Sequence, residues 1–329
     1  MKVAIFSVQS YERPFFEKAN HSQHELVFIE EPLSLSTVSH AQSCEAVCCF
    51  VLDDLNADVL KALAKERVKL VALRSAGYDH VDLKATDALG LTVVNVPEYS
   101  PPAVAEFAVA LILTLSRKLR QSFQRVAEQD FSLTKDILGF NLHEKIVGVV
   151  GTGRIGCAFA SIMHGFGCDL LGYDPYPNDD CKKLGMTYVS LDELLNKSDI
   201  ISLNCLLNEK TFHMIDEEAL SKTKKGAMLI NTGRGGLVDT AALIKSLEND
   251  HLGYAGLDVY EKEKGLFFVN HTGKIIQDEQ FVKLENLSTV VITPHEAFFT
   301  EEAVANITKM TIENLSAFEQ GHVINQIRS

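Results

Sequence analysis

The stretch VVGTGRIG, residues 149–156, closes a short apolar run and opens a helical one. Its glycines, Gly151, Gly153 and Gly156, have the G-x-G-x-x-G spacing of a turn that lays backbone N–H groups against a pyrophosphate. Spacing alone is a weak signal, because glycine triplets arise by chance. The flanks add weight: KIVGVV (145–150) reads as a strand before the turn, an apolar helical run follows from Ile155, and Asp174 ends the next strand, DLLGYD (169–174). An acid about 20 residues beyond the turn accepts from both ribose hydroxyls and repels a 2′-phosphate, so the pattern predicts NAD rather than NADP. The blander reading, a tight strand-to-helix turn without a ligand, does not explain the placement of that acid.

Outward from the turn, short runs rich in Val, Ile and Leu alternate with segments of helical period, which predicts α/β structure with parallel sheets. The series begun at 145–150 continues through DIISLN (199–204), GAMLIN (226–231), GYAGLDV (253–259) and STVVIT (288–293), enough for a doubly wound sheet. The first hundred residues hold a second set at 2–7, 24–30, 44–51, 68–74 and 91–97, with an amphipathic helix at 57–66. Between the sets, AVAEFAVALILTLSRKL (103–119) is apolar around most of its circumference and follows two prolines suited to a helix start, which predicts a helix placed in an interface. A last amphipathic helix begins at Thr300, a candidate cap, with Val304, Ile307, Met310, Leu315 and Phe318 on its apolar face.

Bulk properties narrow the function. At 329 residues the chain is long for one core, so two domains are expected. Lys plus Arg number 31 against 44 Asp plus Glu, and a net charge of −13 with no basic run makes nucleic acid an improbable partner. The opening MKVAIFSVQSYERP is too briefly apolar for a signal core or a membrane span, which gives a soluble, cytoplasmic expectation with no membrane partner. Seven cysteines lack C-x-x-C or zinc-type spacing, so no metal is expected; the three in CEAVCCFV (44–51) read as packing thiols in a strand rather than as a redox site.

Three further stretches place polar residues just beyond strand ends, where open α/β sheets bind ligands. In NTGRGGLVD (231–239), Arg234 offers a planar fork suited to a substrate carboxylate. In VITPHEAFF (291–299), His295 is a candidate proton donor, and Glu263 in LDVYEKEKGLFF (257–268) is its candidate partner. A carboxylate beside an imidazole favours the charged ring and keeps a proton available. Each has a bland alternative: a surface ion pair for the Arg, a solvated loop Glu, a structural His beside Pro.

Taken together, GVVGTGRIG, YDPYP, NTGRGGLVD, LDVYEKE and TPHEAF resemble the D-2-hydroxyacid dehydrogenases over nearly the whole chain. VALRSAGYDHVDL, VPEYSPPAVAEFA, FSL, DPYP and the GLFF…IIQDEQF insert look most like the bacterial fermentative D-lactate dehydrogenases of that family. The resemblance implies a flavodoxin-like substrate domain of residues 1–100 and 298–329, a Rossmann NAD-binding domain of residues 101–297, an active site in the cleft between them, and a homodimer or homotetramer. It implies reduction of pyruvate to D-lactate, with other small 2-oxo acids as alternative substrates.

Carried over by position, the resemblance makes Arg234 the carboxylate ligand, His295 the proton donor and Glu263 its partner, with Asp258 nearby. The backbone at Ala76 and Gly77 would clasp the substrate carboxylate, and Tyr99 and Phe50 would shape the pocket. The cofactor would lie along Gly151, Gly153, Arg154, Ile155, Gly156, Asp174, Cys205, Leu206, Thr211, Thr232, Gly233 and Asp258. Leu206, Thr211, Phe107 and Gly233 depart from the family's usual Pro, Asn, His and Ser at those places. Two other readings carry less: phosphoglycerate oxidation, for want of a basic cluster and of an appended regulatory domain, and an NAD-sensing binding protein, for want of disordered tails.

Overall fold

The computed structural model describes all residues, Met1–Ser329, and the chain divides into two compact units: Met1–Ser100 with Phe299–Ser329, and Pro101–Phe298. In chain order the first run is β1 (Lys2–Ile5), α1 (Arg13–Asn20), β2 (Glu25–Phe28), β3 (Ala46–Cys49), α2 (Ala57–Lys65), β4 (Leu70–Leu73), α3 (Leu83–Leu89) and β5 (Thr92–Val94). The middle run opens with α4 (Pro101–Ser116), α5 (Leu119–Ala127), β6 (Ile146–Val150), α6 (Arg154–Gly165), β7 (Asp169–Tyr173), α7 (Asp179–Lys183) and β8 (Thr187–Tyr188). It continues with α8 (Leu191–Lys197), β9 (Ile200–Leu203), α9 (Glu217–Ser221), β10 (Met228–Asn231), α10 (Thr240–Glu248), β11 (Tyr254–Leu257), α11 (Glu279–Asn286) and β12 (Val290–Ile292). Then α12 (Glu301–Glu319) and β13 (Gln326–Ile327) return the chain to the first unit.

The first sheet has the order β13-β5-β4-β3-β1-β2. Its five parallel strands follow the flavodoxin order, and β13 adds an antiparallel edge that the sequence reading did not contain. Alternate residues serve opposite faces: Val3, Ile5 and Cys48 pack with Ile312 and Leu315 of α12, whereas Ala4, Phe6 and Cys49 pack with Leu60 and Leu63 of α2. Cys48 and Cys49 thus lie in separate cores, and all seven cysteines are free thiols. Thr300 accepts from the Ala303 N–H at 3.2 Å, the cap expected for α12.

The second sheet, β12-β11-β10-β9-β6-β7-β8, is parallel throughout, with the reversal of strand order between β6 and β9. Such a switch point opens a crevice beyond the carboxyl ends of the strands. The helix expected at 103–119 runs from Pro101 to Ser116 and ends where Lys118 turns left-handed at φ 54°. Its apolar circumference is mostly consumed within its own unit, where Leu111 and Leu115 crowd against Gly256 of β11 so closely that a Cβ there would meet them at 3.1 and 3.3 Å. The exposed apolar side chains come later, at Phe123 and Val126 of α5 and at Phe131, Leu133 and Leu138 beyond it. No helix is long and apolar enough to cross a membrane.

Candidate active site

The glycine turn sits at the switch point, and its three glycines have three different reasons to be glycine. Gly151, at φ +88°, lies so close to β9's exit that a Cβ would come within 2.6 Å of the Cys205 nitrogen. At Gly156 a Cβ would stand 2.0 Å from the Gly151 carbonyl oxygen, so this glycine lets α6 pack on the turn. Around Gly153 a Cβ would meet nothing within 4 Å; the turn presents bare backbone to open space at the start of a twelve-residue helix. Free N–H groups and the helix dipole suit an anionic pyrophosphate there.

Asp174, expected from the sequence to meet a ribose, has a structural task as well. Its Oδ2 accepts from the Thr152 N–H at 2.7 Å and its Oδ1 from the Tyr176 N–H at 2.8 Å, which ties the end of β7 to the glycine turn. Thr152 is held again by Asn178, whose Nδ2 donates to its carbonyl at 2.9 Å, and by the Tyr188 hydroxyl, 2.8 Å from its Oγ1. Sequence reasoning missed Thr152, Asn178 and Tyr188, because bonds across 26 and 36 residues leave no local pattern.

On the other side of the switch point, the Cys205 Sγ lies 3.6 Å from the Met214 sulfur, and burial pushes its thiol up to about 11. Exposed Leu206 offers its carbonyl to the Thr211 hydroxyl at 2.7 Å, so Thr211 shapes this loop. The Asn204 Oδ1 and Thr232 Oγ1 are buried without a hydrogen-bond partner. Buried polar atoms are rarely left so, and two of them beyond adjacent strands fit the edge of a polar ligand. Turn, acid and orphaned acceptors together fit a dinucleotide.

Arg234 follows β10 in a loop clamped by Asn231: its Oδ1 accepts from the Gly233 N–H at 3.1 Å and its Nδ2 donates to the Arg234 carbonyl at 2.9 Å. A Cβ at Gly235 would collide with the Tyr260 carbonyl carbon at 2.1 Å, so this loop rests directly on the turn after β11. That turn carries two acids. Glu261 meets His213 Nε2 at 2.8 Å and accepts from the Thr240 N–H at 3.2 Å. Glu263 accepts from the Tyr260 N–H through Oε2 at 3.1 Å and from His295 Nδ1 through Oε1 at 2.8 Å.

His295 has φ +59°, which is rare for a residue other than glycine. Asp258 holds this turn: its carboxylate accepts from the Thr293 hydroxyl at 2.6 Å and from the Glu296 and Ala297 N–H groups at 2.9 Å each. Burial raises the Asp258 carboxyl above its ordinary range, against those hydrogen bonds and the neighbouring imidazole. Asp258, which the sequence resemblance placed near His295 and along the cofactor, thus shapes the His295 turn. Burial, followed by the Asp258 charge, also raises Glu296.

In the first unit, Ala76, Gly77 and Phe50 lie just beyond β4 and β3. The Ala76 carbonyl accepts from Asn95 Nδ2 at 2.8 Å and the Gly77 carbonyl from the Ser75 hydroxyl at 2.7 Å, which fixes both peptide planes. The Phe50 N–H donates to Asp53 at 2.6 Å, and the same carboxylate accepts from Ser7 and Leu33, each at 2.7 Å. Buried Arg74 lies over the Phe50 ring, 5.3 Å from its centroid, and pairs with Glu12 at 3.1 Å. The Tyr99 carbonyl accepts from Asn306 of α12 at 2.8 Å.

A doubly wound sheet with a pyrophosphate turn at its switch point, and an Arg, Glu and His gathered beyond neighbouring strands, defines a dinucleotide-dependent oxidoreductase. Residues 109–297 match the D-isomer specific 2-hydroxyacid dehydrogenase NAD binding domain. A 2-hydroxyacid dehydrogenase homolog of Zymomonas mobilis is 49% identical over 98% of both chains, and the D-lactate dehydrogenase of Escherichia coli is 43% identical over 98% of both. The solved D-lactate dehydrogenase of Aquifex aeolicus, complexed with NAD and lactic acid, superposes with a TM-score of 0.89 at 37% identity, covering 97% of this chain and 96% of that one. The chain belongs to the D-isomer specific 2-hydroxyacid dehydrogenases, and its cofactor is NAD. The resemblance read from the motifs is borne out.

Proposed function

We propose that the protein reduces pyruvate reversibly to D-lactate with NADH. The hydrogen-bonded His295–Glu263 pair, held beyond the sheet that carries the glycine turn, is the observation that carries this reading. Bound NADH supplies the hydride that reaches the substrate's C2. Arg234 binds the carboxylate and aligns the carbonyl, and His295 gives a proton from Nε2 to the carbonyl oxygen. Glu263 sets the ring's orientation by accepting from Nδ1, which leaves Nε2 to face the carbonyl oxygen. Residues 1–100 and 298–329 form the substrate domain, where Ala76 and Gly77 offer backbone N–H groups to the carboxylate and Phe50 and Tyr99 limit side-chain size; residues 101–297 hold the cofactor.

The names of the Escherichia coli and Aquifex aeolicus relatives support D-lactate as product; the generic naming of the Zymomonas relative leaves other 2-oxo acids as competitors. One methylene in an apolar pocket changes discrimination by only about 1–3 kcal/mol, so activity extends to 2-oxobutyrate. NADH oxidation over pyruvate, 2-oxobutyrate, phenylpyruvate, oxaloacetate, glyoxylate and hydroxypyruvate, with chiral analysis of the product, tests the proposal. The expected result is pyruvate as preferred substrate and D-lactate as product. A different preferred acid keeps the reaction class and replaces the substrate; NADH binding with no turnover rejects the enzyme reading for this site.

A further inference from the structure

One aromatic residue beside the His295–Glu263 pair has no part in the chemistry above. Phe268 lies against the His295 imidazole, with ring centroids 5.6 Å apart and planes tilted by 43°. Its backbone is left-handed at φ +62°, a conformation that bulky side chains avoid. The same turn supplies Glu263, whose carbonyl accepts from the Leu266 and Phe267 N–H groups at 2.9 Å each. Phe267, the preceding residue, is buried among Tyr260 and Phe281 at ring separations of 6.5 and 6.0 Å. The Tyr260 hydroxyl donates to Asp278 at 2.9 Å, and that carboxylate also caps α11. The turn is therefore pinned on its core side while the next residue inverts and meets the imidazole.

We infer that Phe268 is a positioning residue for His295. Its ring limits rotation of the imidazole about the Glu263 hydrogen bond and keeps water from that bond. The strained backbone at Phe268 is the means by which one turn delivers both an acid and an apolar cover to the same ring. The inference rests on His295 as the proton donor, deepening that reading by naming what holds the donor in register.

Phe268→Gly is the informative change, because glycine accepts φ +62° without strain. It removes the ring without burdening the backbone. The expected result is a fall in kcat of about tenfold or more, from a proton donor no longer held in line. NADH affinity should stay at the wild-type level, Tm should fall modestly because the ring also packs against the core of its unit, and Phe268→Tyr, which keeps the ring, should recover most of the turnover. A Phe268→Gly enzyme within about twofold of wild-type kcat, or one whose loss tracks a lowered Tm and is not recovered by Phe268→Tyr, overturns the inference. A readout without substrate separates this from the reaction itself: solvent exchange of the His295 Nδ1 proton, followed by NMR, should be faster in Phe268→Gly. If wild type reduces no 2-oxo acid, the proposed reaction fails by itself, and unchanged proton exchange then overturns the positioning role independently.

Discussion

His295 has an expectation that separates chemistry from binding. Glutamine at this position cannot cycle a proton, so His295→Gln should lower turnover by about 10²- to 10⁴-fold while NADH affinity, measured by fluorescence titration, stays within a few-fold of wild type. Unchanged turnover would remove His295 from the proton path. Arg234, Glu263 and His295 were legible because each follows an apolar strand by a few residues, and the resemblance then gave them roles. Asn231, Thr152 and Tyr188 were not: each acts by a hydrogen bond to a partner that only the folded sheet brings near. Phe268 ends the GLFF run at 265–268, but its left-handed backbone and its contact with the His295 ring leave no trace in residue type.

Among the elements, the turn from Thr293 to Ala297 depends on one buried carboxylate. Asp258→Asn leaves a single side-chain acceptor for the Glu296 and Ala297 N–H groups and the Thr293 hydroxyl, so the turn should loosen. A loss of about 1–3 kcal/mol in urea unfolding at neutral pH is expected, from a buried donor left without its acceptor. The pH dependence has a definite sign. Burial raises the Asp258 carboxyl in the folded chain above its ordinary 3.8, so folding retains a proton that the unfolded chain has released. This contribution to stability is fully present below about 3.8 and declines as pH rises through the raised value. The stability difference between wild type and Asp258→Asn should show that decline, and a pH-independent difference would reject the assignment.

Strands of four or five apolar residues were readable in both units, because buried parallel strands need no alternation. Thr187–Tyr188 and Gln326–Ile327 were not, since two-residue strands are set by the neighbour they pair with. The apolar circumference of 103–119 predicted an interface, and the structure shows most of it spent inside one unit. Apolarity reports burial without saying against what.

Across the whole molecule, the exposed apolar side chains that follow α4 bear on assembly. Leu133 is 92% exposed and Phe131 75%, with Phe123, Val126 and Leu138 in the same stretch of chain. Exposed apolar side chains grouped along one stretch of chain are a feature of association surfaces, and they favour the homodimer or homotetramer that the sequence resemblance implies. Charge there should oppose assembly, so Phe131→Glu combined with Leu133→Glu should sediment as a monomer; an unchanged oligomer would place the interface elsewhere.

The first unit is assembled from both ends of the chain: α12 packs on β4, and β13 closes the free edge of β5. During synthesis those closing pieces arrive last. At about 5–20 residues per second, the five strands of residues 1–100 wait on the order of 10–50 s for them. The contiguous middle unit can complete its core meanwhile. The nascent protein therefore holds an unfinished sheet, with one edge and one apolar face open, beside the ribosome while residues 101–298 are made. An unpaired strand edge held open for that interval is a ready template for mispairing with a neighbouring chain.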